Sequence, residues 1–206
     1  MNPIKEVCVE SFQEALLATA AGATRIELCE NLSCGGTTPS YGTIIKTIEK
    51  LQVPVMVMIR PRGGDFFYTR DEFEIMCHDI RVCHELGVSG VVFGLLNQDQ
   101  TVDIERTTEL VNLARPMQVT FHKAIDDTKD ILQSVNQIKM MGINRILSSG
   151  GAATAIEGCE TLLKMIEIAG DQLKIIVAGK VTRENFDEVH RLIPSSEYHG
   201  RKLVKF

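Results

Sequence analysis

Short apolar or β-branched runs alternate with longer amphipathic segments along the whole chain, a pattern typical of repeated strand–helix units. Eight runs predict strands and seven segments predict helices, one helix fewer than a complete eight-fold βα barrel contains. The predicted strands cover 4–9, 25–29, 55–60, 91–95, 119–123, 145–149, 174–178 and 197–199. The predicted helices cover 12–21, 41–51, 70–86, 104–114, 131–141, 153–169 and 183–192.

Strands that are joined through helices by short links must run parallel, and eight of them most often close into a barrel. The predicted fold class is therefore α/β, a parallel (β/α)8 TIM-type barrel that lacks a full eighth helix. An open, doubly wound sheet is the alternative. The sequence ends at Phe206, soon after the last strand, so that end of the barrel could be open or covered by a second copy in a homodimer.

The composition indicates a globular protein and argues against some kinds of partner. The 206 residues are 44% hydrophobic and 24% charged, which is typical of a globular chain, and we predict one barrel domain over 1–206. A formal net charge of −5 and the lack of any basic run argue against nucleic acid as a partner. The longest apolar run, 88–96, is far shorter than the ~20 residues of a membrane span. Six scattered cysteines and no secretory signal pattern predict a reduced, cytoplasmic protein without a membrane partner.

Several predicted strands alternate apolar with polar side chains, although a barrel interior is usually filled by branched aliphatics. With the apolar set facing the helices, the lumen receives Cys8, Glu10, Glu27, Cys29, Arg60 and His122. Glu197, His199 and Arg201 share one parity in and after the last strand. Buried charges need partners, so these residues predict either a polar pocket at the carboxyl ends of the strands or an ion-pair layer that only fixes strand register.

The polar pocket supports an enzyme hypothesis for a small anionic or sugar-like metabolite. His122 or Glu10 would act as acid or base, and Arg60 would orient a negative group of the ligand. Asp126 and His199 are candidate helpers. The remaining candidate ligand-binding residues are Glu27 and Arg201.

The cysteines support a second hypothesis. Cys8 and Cys29 hold similar positions on neighbouring strands, which places them roughly 5 Å apart, close enough to share a soft ion such as Cu(I). Met58 lies on the next strand, and Cys34 could add a third sulfur from the following loop. Buried cysteines are also common as small apolar core residues, so the sequence alone leaves both interpretations open.

Glycine-rich turns follow three of the last strands, at 148–151, at 178–180, and at Gly200 with Arg201. Their backbone N–H groups could bind an anion, as barrels often do near strands seven and eight. Glycine is equally required there for backbone geometry alone.

Seven sequence blocks, in order, are similar to those of one known family. They are EVCVES, RIELCENLSCGGTTPSYG, VMIRPRGGDFFYT, VVFGLL, TFHKAID, RILSSGG and YHG, and over essentially the whole chain they resemble the CutC family of copper homeostasis proteins. The resemblance implies a (β/α) barrel, a cytoplasmic location and copper binding at Cys8 and Cys29, in the EVC and ELC motifs. The chain departs from the family pattern at 178–180, where many relatives read GGG, and at Cys34.

Overall fold

Eight parallel strands close into a barrel in the computed structural model, which describes residues 2–206. The strands follow one another around the barrel in chain order, and β1 pairs with β8 to close it. The strands are β1 Ile4–Val9, β2 Arg25–Leu28, β3 Val55–Met58, β4 Gly90–Phe93, β5 Gln118–Phe121, β6 Arg145–Ser148, β7 Lys174–Val177 and β8 Glu197–His199. The fold class predicted from the sequence is confirmed.

Seven helices surround the barrel, and within residues 2–206 no helix follows β8, as the sequence predicts. The helices are α1 Phe12–Ala20, α2 Tyr41–Lys50, α3 Arg70–Leu86, α4 Ile104–Ala114, α5 Ile131–Met140, α6 Cys159–Ala169 and α7 Phe186–Leu192. Of the helices in this described range, none is both long enough and apolar enough to cross a lipid bilayer.

Local capping signals set the ends of α3, the longest helix. Thr69 accepts a hydrogen bond from the backbone N–H of Glu72, and the Glu72 side chain accepts one from the backbone of Thr69, which forms a capping box. Gly87 ends the helix in the left-handed region at φ 71°, and its N–H reaches the carbonyls of Cys83 and His84. Both boundaries agree with the sequence prediction because these signals act within a few residues.

Two helices begin later than the sequence predicts. α6 begins at Cys159 rather than at 153, and α7 begins at Phe186 rather than at 183. The segment before α6 forms turns because Gly158 packs directly against the end of β6. A Cβ atom on Gly158 would lie 1.9 Å from the Ser149 carbonyl oxygen. This long-range backbone contact decides where α6 starts, and helical periodicity does not record it.

The two faces of the strands differ in chemistry. Outward side chains such as Val7, Ile26 and Val91 join the main apolar core beneath the helices. The interior holds two small apolar clusters, one around Met56 and one around Ile176, and a set of charged side chains between them. Within β1 and β2, the alternation inferred from the sequence therefore assigns the faces correctly, with Cys8 and Glu27 inside.

Four charged side chains form a buried layer toward the amino ends of the strands, which we call the basal layer: Glu6, Arg25, Arg145 and Glu197. Arg25 bridges the two carboxylates, and Arg145 Nε lies 3.0 Å from Glu197 Oε2. Burial alone would raise the pKa of Glu6, but its attraction to Arg25 and His199 outweighs burial and lowers the pKa to about 2. The layer links β1, β2, β6 and β8 through paired charges.

Candidate functional site

Cys8, Glu27 and His199 meet inside the barrel, one step above the basal layer. They come from β1, β2 and β8, and the strand register places Cys8 opposite Glu27 and Glu6 opposite His199. One ligand atom from each of Cys8, Glu27 and His199 lies within 4.8 Å of the other two. Three elements far apart in sequence thus bring a thiol, a carboxylate and an imidazole to one point.

His199 lies between two carboxylates. Its Nδ1 is 2.8 Å from Glu6 Oε1 and its Nε2 is 3.7 Å from Glu27 Oε2. Burial favours the neutral ring, but Glu27, Cys8 and Glu6 outweigh it and raise the pKa of His199 well above its usual value. These neighbours favour the protonated ring, and His199 connects this site to the basal layer through Glu6.

Cys29 is fully buried beside the same carboxylate. Its Sγ lies 3.6 Å from Glu27 Oε2, and it packs in the apolar cluster with Met56, Met58 and Val92. Burial, reinforced by the charge of Glu27, raises the pKa of the Cys29 thiol well above 9. Cys8 and Cys29 both face the lumen as predicted, but Cys29 is outside the compact three-atom group.

Cys34 does not join this group. The residue is exposed, in a short 3-10 turn over Leu32–Cys34. Its sulfur lies 3.9 Å from Ser33 Oγ, and its carbonyl accepts a hydrogen bond from Arg60. The third sulfur considered from the sequence is therefore at the surface of the mouth, apart from Cys8.

A cavity of about 140 Å³, which we call the upper pocket, lies over the three-residue group. It adjoins a more open cavity of about 340 Å³ that shares Gly35, Arg60, Phe66 and Lys123 with it. The polar residues that line the upper pocket are Cys8, Glu27, Arg60, His122, Lys123 and His199.

Arg60 is buried in the wall of the upper pocket without a carboxylate partner. Its Nη1 donates to the carbonyls of Cys34 at 2.9 Å and Gly36 at 3.0 Å, and its Nη2 donates to that of Gly64 at 2.7 Å. Its guanidinium carbon lies 4.9 Å from the centre of the Phe66 ring. Among residues 2–206, no Asp or Glu oxygen lies within ion-pair distance of this guanidinium. Arg60 thus anchors two loops and makes no direct ion pair, although Asp127 lies at the adjoining cavity.

His122 enters the upper pocket as a neutral ring. Its Nδ1 accepts a hydrogen bond from the Ala124 N–H at 3.2 Å, so the ring proton is on Nε2. Burial and the nearby charge of Arg60 lower the pKa of His122 to about 3. A general base for neutral pH needs a pKa close to that pH, so this environment favours a hydrogen-bond donor over the acid–base role that the sequence indicated.

Glu10 and Arg201 form a rim above the lumen. β1 ends at Val9, and Glu10 accepts a hydrogen bond from the Leu32 N–H at 2.7 Å. Arg201 lies beyond β8, is exposed, and its Nη2 is 3.0 Å from Glu10 Oε2 and 3.3 Å from Glu14 Oε1. The prediction that Glu10 points into the lumen is wrong. Glu10 lies just beyond the last residue of β1, so the strand alternation does not extend to it, and its contact with the Leu32 N–H holds the side chain at the rim.

The carboxylate of Asp126 accepts the hydrogen bonds that the glycine-rich turn after β6 could donate to an anion. Its carboxylate accepts hydrogen bonds from the backbone N–H groups of Ser149 and Gly151, each at 3.0 Å, and from the Ser148 hydroxyl. Lys123 Nζ lies 2.6 Å away. Burial would raise the pKa of Asp126, but Lys123 and these donors lower it. The anion that this turn binds is therefore a side chain of the same protein.

A family model described as the CutC family matches residues 3–204. The chain belongs to the CutC family. It is 42% identical over 200 residues to a CutC family protein of Chromobacterium violaceum, covering 97% of this chain and 81% of the relative. It is 40% identical over 196 residues to the Homo sapiens copper homeostasis protein cutC homolog, covering 95% and 72%. The family resemblance inferred from the sequence blocks is confirmed.

A crystal structure described as that of a CutC protein from Streptococcus agalactiae superimposes with a TM-score of 0.93. The two chains are 33% identical, and the match covers 98% of this chain and 100% of the other. The closed barrel is therefore shared with a solved member of the CutC family.

Sequence reasoning missed part of this CutC-family interior. Arg25 and Arg145 are in the basal layer, and Lys123 and Phe66 line the upper pocket. A signal for Arg25 was available, since it has the same parity as Glu27 on β2. No local signal was available for Phe66, which reaches the pocket from a loop.

Proposed function

We propose that the protein acts in copper homeostasis by holding one Cu(I) ion in the barrel lumen, with Cys8 as the first ligand and Cys29 as the second. The observation that carries this proposal is the convergence of Cys8, Glu27 and His199 within 4.8 Å. The Homo sapiens and Mus musculus relatives are named copper homeostasis proteins. In this proposal the copper ion is the protein's cargo and not a catalytic cofactor.

The donor set fits a soft cation. Thiolate and thioether sulfur favour Cu(I) over hard cations, and Met58 lines the same cavity as Cys8. Glu27 is the group that both cysteines approach, through the three-residue group for Cys8 and at 3.6 Å for Cys29. An ion held beside Glu27 would therefore lie near both sulfurs.

Binding requires the site to lose protons. The pKa of His199 is raised by Glu27, Cys8 and Glu6, and the pKa of Cys29 is raised well above 9 by burial. Ligands bind metals in their deprotonated forms, so Cu(I) uptake would release protons and strengthen as pH rises.

A competitive titration tests the proposal. The reduced protein is titrated anaerobically with Cu(I) against a chromophoric chelator, as wild type, Cys8→Ser and Cys29→Ser. We expect the wild type to compete for about one ion per chain. Each variant loses a direct ligand and should bind at least ~100-fold more weakly, since the loss of an outer-shell partner alone costs about 10–100-fold.

Two further variants control for the other sulfurs. Cys34→Ser changes an exposed thiol and Cys159→Ser a half-buried one outside the lumen, so both should bind Cu(I) as the wild type does. Circular dichroism on each variant separates lost binding from lost folding. Equal copper affinity in wild type, Cys8→Ser and Cys29→Ser would refute the proposal. The cytoplasmic location and the homodimer stay predictions.

A further inference from the structure

Three buried polar atoms of the upper pocket have no hydrogen-bond partner among residues 2–206. They are His122 Nε2, Arg60 Nε and Glu27 Oε1. All three residues line the same cavity of about 140 Å³. Native proteins leave few buried polar atoms unsatisfied, and each one needs an explanation. Their grouping around one cavity indicates that the cavity takes a polar ligand.

The charges around the upper pocket indicate the sign of that ligand. Lys123 pairs with Asp126 at 2.6 Å, and His199 lies between Glu6 and Glu27. Arg60 has only carbonyl partners, from Cys34, Gly36 and Gly64. Among residues 2–206, no carboxylate therefore makes a direct ion pair with Arg60, and a buried charge is stabilised by an opposite one in contact with it. A monoanion satisfies that requirement.

The unpartnered atoms also indicate a second functional group on the ligand, besides its negative charge. His122 offers a donor, because Nδ1 is occupied by the Ala124 N–H. Glu27 offers an acceptor oxygen. A hydroxyl group both accepts and donates, so one ligand hydroxyl can satisfy the two residues at once.

The upper pocket has room for a small carbon skeleton. A volume of about 140 Å³ corresponds to roughly five water molecules at ~30 Å³ each. Met58 and Phe66 give the cavity apolar wall area. These dimensions fit an acid of about three carbons.

We propose that the upper pocket binds a small 2-hydroxy carboxylate, with its carboxylate toward Arg60 and its hydroxyl between His122 and Glu27. This ligand gives Arg60 a direct ion pair and satisfies the unpartnered atoms of His122 and Glu27. The site shares Glu27 with the Cys8, Glu27 and His199 group. Arg60 and His122 belong only to the hydroxy-acid site, so binding is tested on metal-free protein and located with a His122 variant.

Ligand-observed NMR and calorimetry on the metal-free, reduced wild type test this proposal. The probes are D- and L-lactate, D- and L-glycerate, pyruvate and propane-1,2-diol, with a copper chelator present. We expect saturable binding of at least one hydroxy acid. Pyruvate, which lacks the hydroxyl donor, and the diol, which lacks the charge, should each bind at least ten times more weakly.

Variants locate the binding site. His122→Phe keeps the ring and removes the donor, and Glu27→Ala removes the acceptor; each should weaken binding of the hydroxy acid at least tenfold. Glu160→Gln changes an exposed residue on α6 that pairs with Lys164 and serves as the matched control. Arg60→Ala is avoided because Arg60 anchors two loops.

Three results would overturn the proposal. The first is that no hydroxy acid binds the folded wild type. The second is that pyruvate binds as tightly as lactate, which removes the role of the hydroxyl. The third is that His122→Phe, shown to be folded by circular dichroism, binds like the Glu160→Gln control. Loss of copper binding in the cysteine variants bears on none of these results, so the two proposals fail independently.

Discussion

The basal layer and the upper pocket both contain buried charged side chains inside one barrel, but they differ in how those charges are paired. Glu6 and Glu27 both face inward on adjacent strands, and His199 contacts both. The pKa of Glu6 is about 2, because Arg25 and His199 outweigh burial, whereas burial dominates at Glu27 and raises its pKa. The carboxylates of the basal layer are all ion-paired and the layer has one unpartnered buried atom, Arg145 Nη1, whereas three residues of the upper pocket each have one.

This difference indicates which part of a polar barrel interior can bind a ligand. Paired charges in the basal layer stabilise the register of their strands and leave little capacity for a ligand. In the upper pocket, Arg60 lacks a carboxylate in contact with it and His122 is held neutral. A titratable group with a strongly shifted pKa, such as His122, is typical of functional sites. The sequence raised both interpretations of the interior as alternatives. The structure contains an example of each, at different heights in the barrel.

The largest expected effect comes from breaking the basal layer. Arg25→Met removes the side chain that bridges Glu6 and Glu197 and leaves two buried carboxylates short of a partner. We expect the free energy of unfolding to fall by about 3–5 kcal/mol, measured by urea denaturation at pH 7.

The control for that experiment is Arg70→Met. Arg70 pairs with Glu74 on the exposed face of α3, where an ion pair contributes at most about 0.5 kcal/mol. If Arg25→Met were as mild as Arg70→Met, the basal layer would not stabilise the fold.

A smaller loss in the free energy of unfolding is expected from His122 when the pH is lowered. The pKa of His122 is lowered from 6.5 to about 3 in the folded state. As the pH falls below 6.5, His122 is therefore protonated in the unfolded chain but not in the folded one. The free energy of unfolding is highest above pH 6.5 and decreases progressively toward pH 3. Between pH 6.5 and 5 this loss amounts to about 2 kcal/mol. His122→Gln should remove that part of the pH dependence.

His199 acts in the opposite direction and must be separated from His122. The folded-state pKa of His199 is raised, so its contribution is present below the unfolded value and is lost as pH rises through the raised folded value. The difference between wild type and His122→Gln cancels this common background. The exposed residue His78 supplies a control, His78→Gln, and a His122→Gln curve parallel to the wild type would contradict the assignment.

The smallest effect is expected at Glu27. Burial raises the pKa of Glu27, so its ionised form is disfavoured in the folded protein, and His199 retains Glu6 at 2.8 Å when Glu27 is neutralised. Glu27→Gln should change the free energy of unfolding at pH 7 by less than about 1 kcal/mol, in either direction. A loss comparable to that of Arg25→Met would mean that Glu27 is part of the structural network rather than of a binding site.

Local patterns predicted most of the fold and the composition of the site. The bounds of β1, β8, α3 and α4 agree with the prediction, because strand alternation and helix caps act over a few residues. α6 starts late because Gly158 meets Ser149, a contact between separate elements. Parity placed Cys8, Glu27 and Cys29 in the lumen but could not give their distances.

The sequence by itself determined the class of fold, the family and which side chains leave the apolar core, since periodicity and motifs are local properties. Only the tertiary structure decided how those side chains combine. Closure of β1 on β8 sets Glu6 opposite His199 and brings residues from both ends of the chain together. Whether a buried charge is paired depends on this register, and pairing separates the basal layer from the upper pocket.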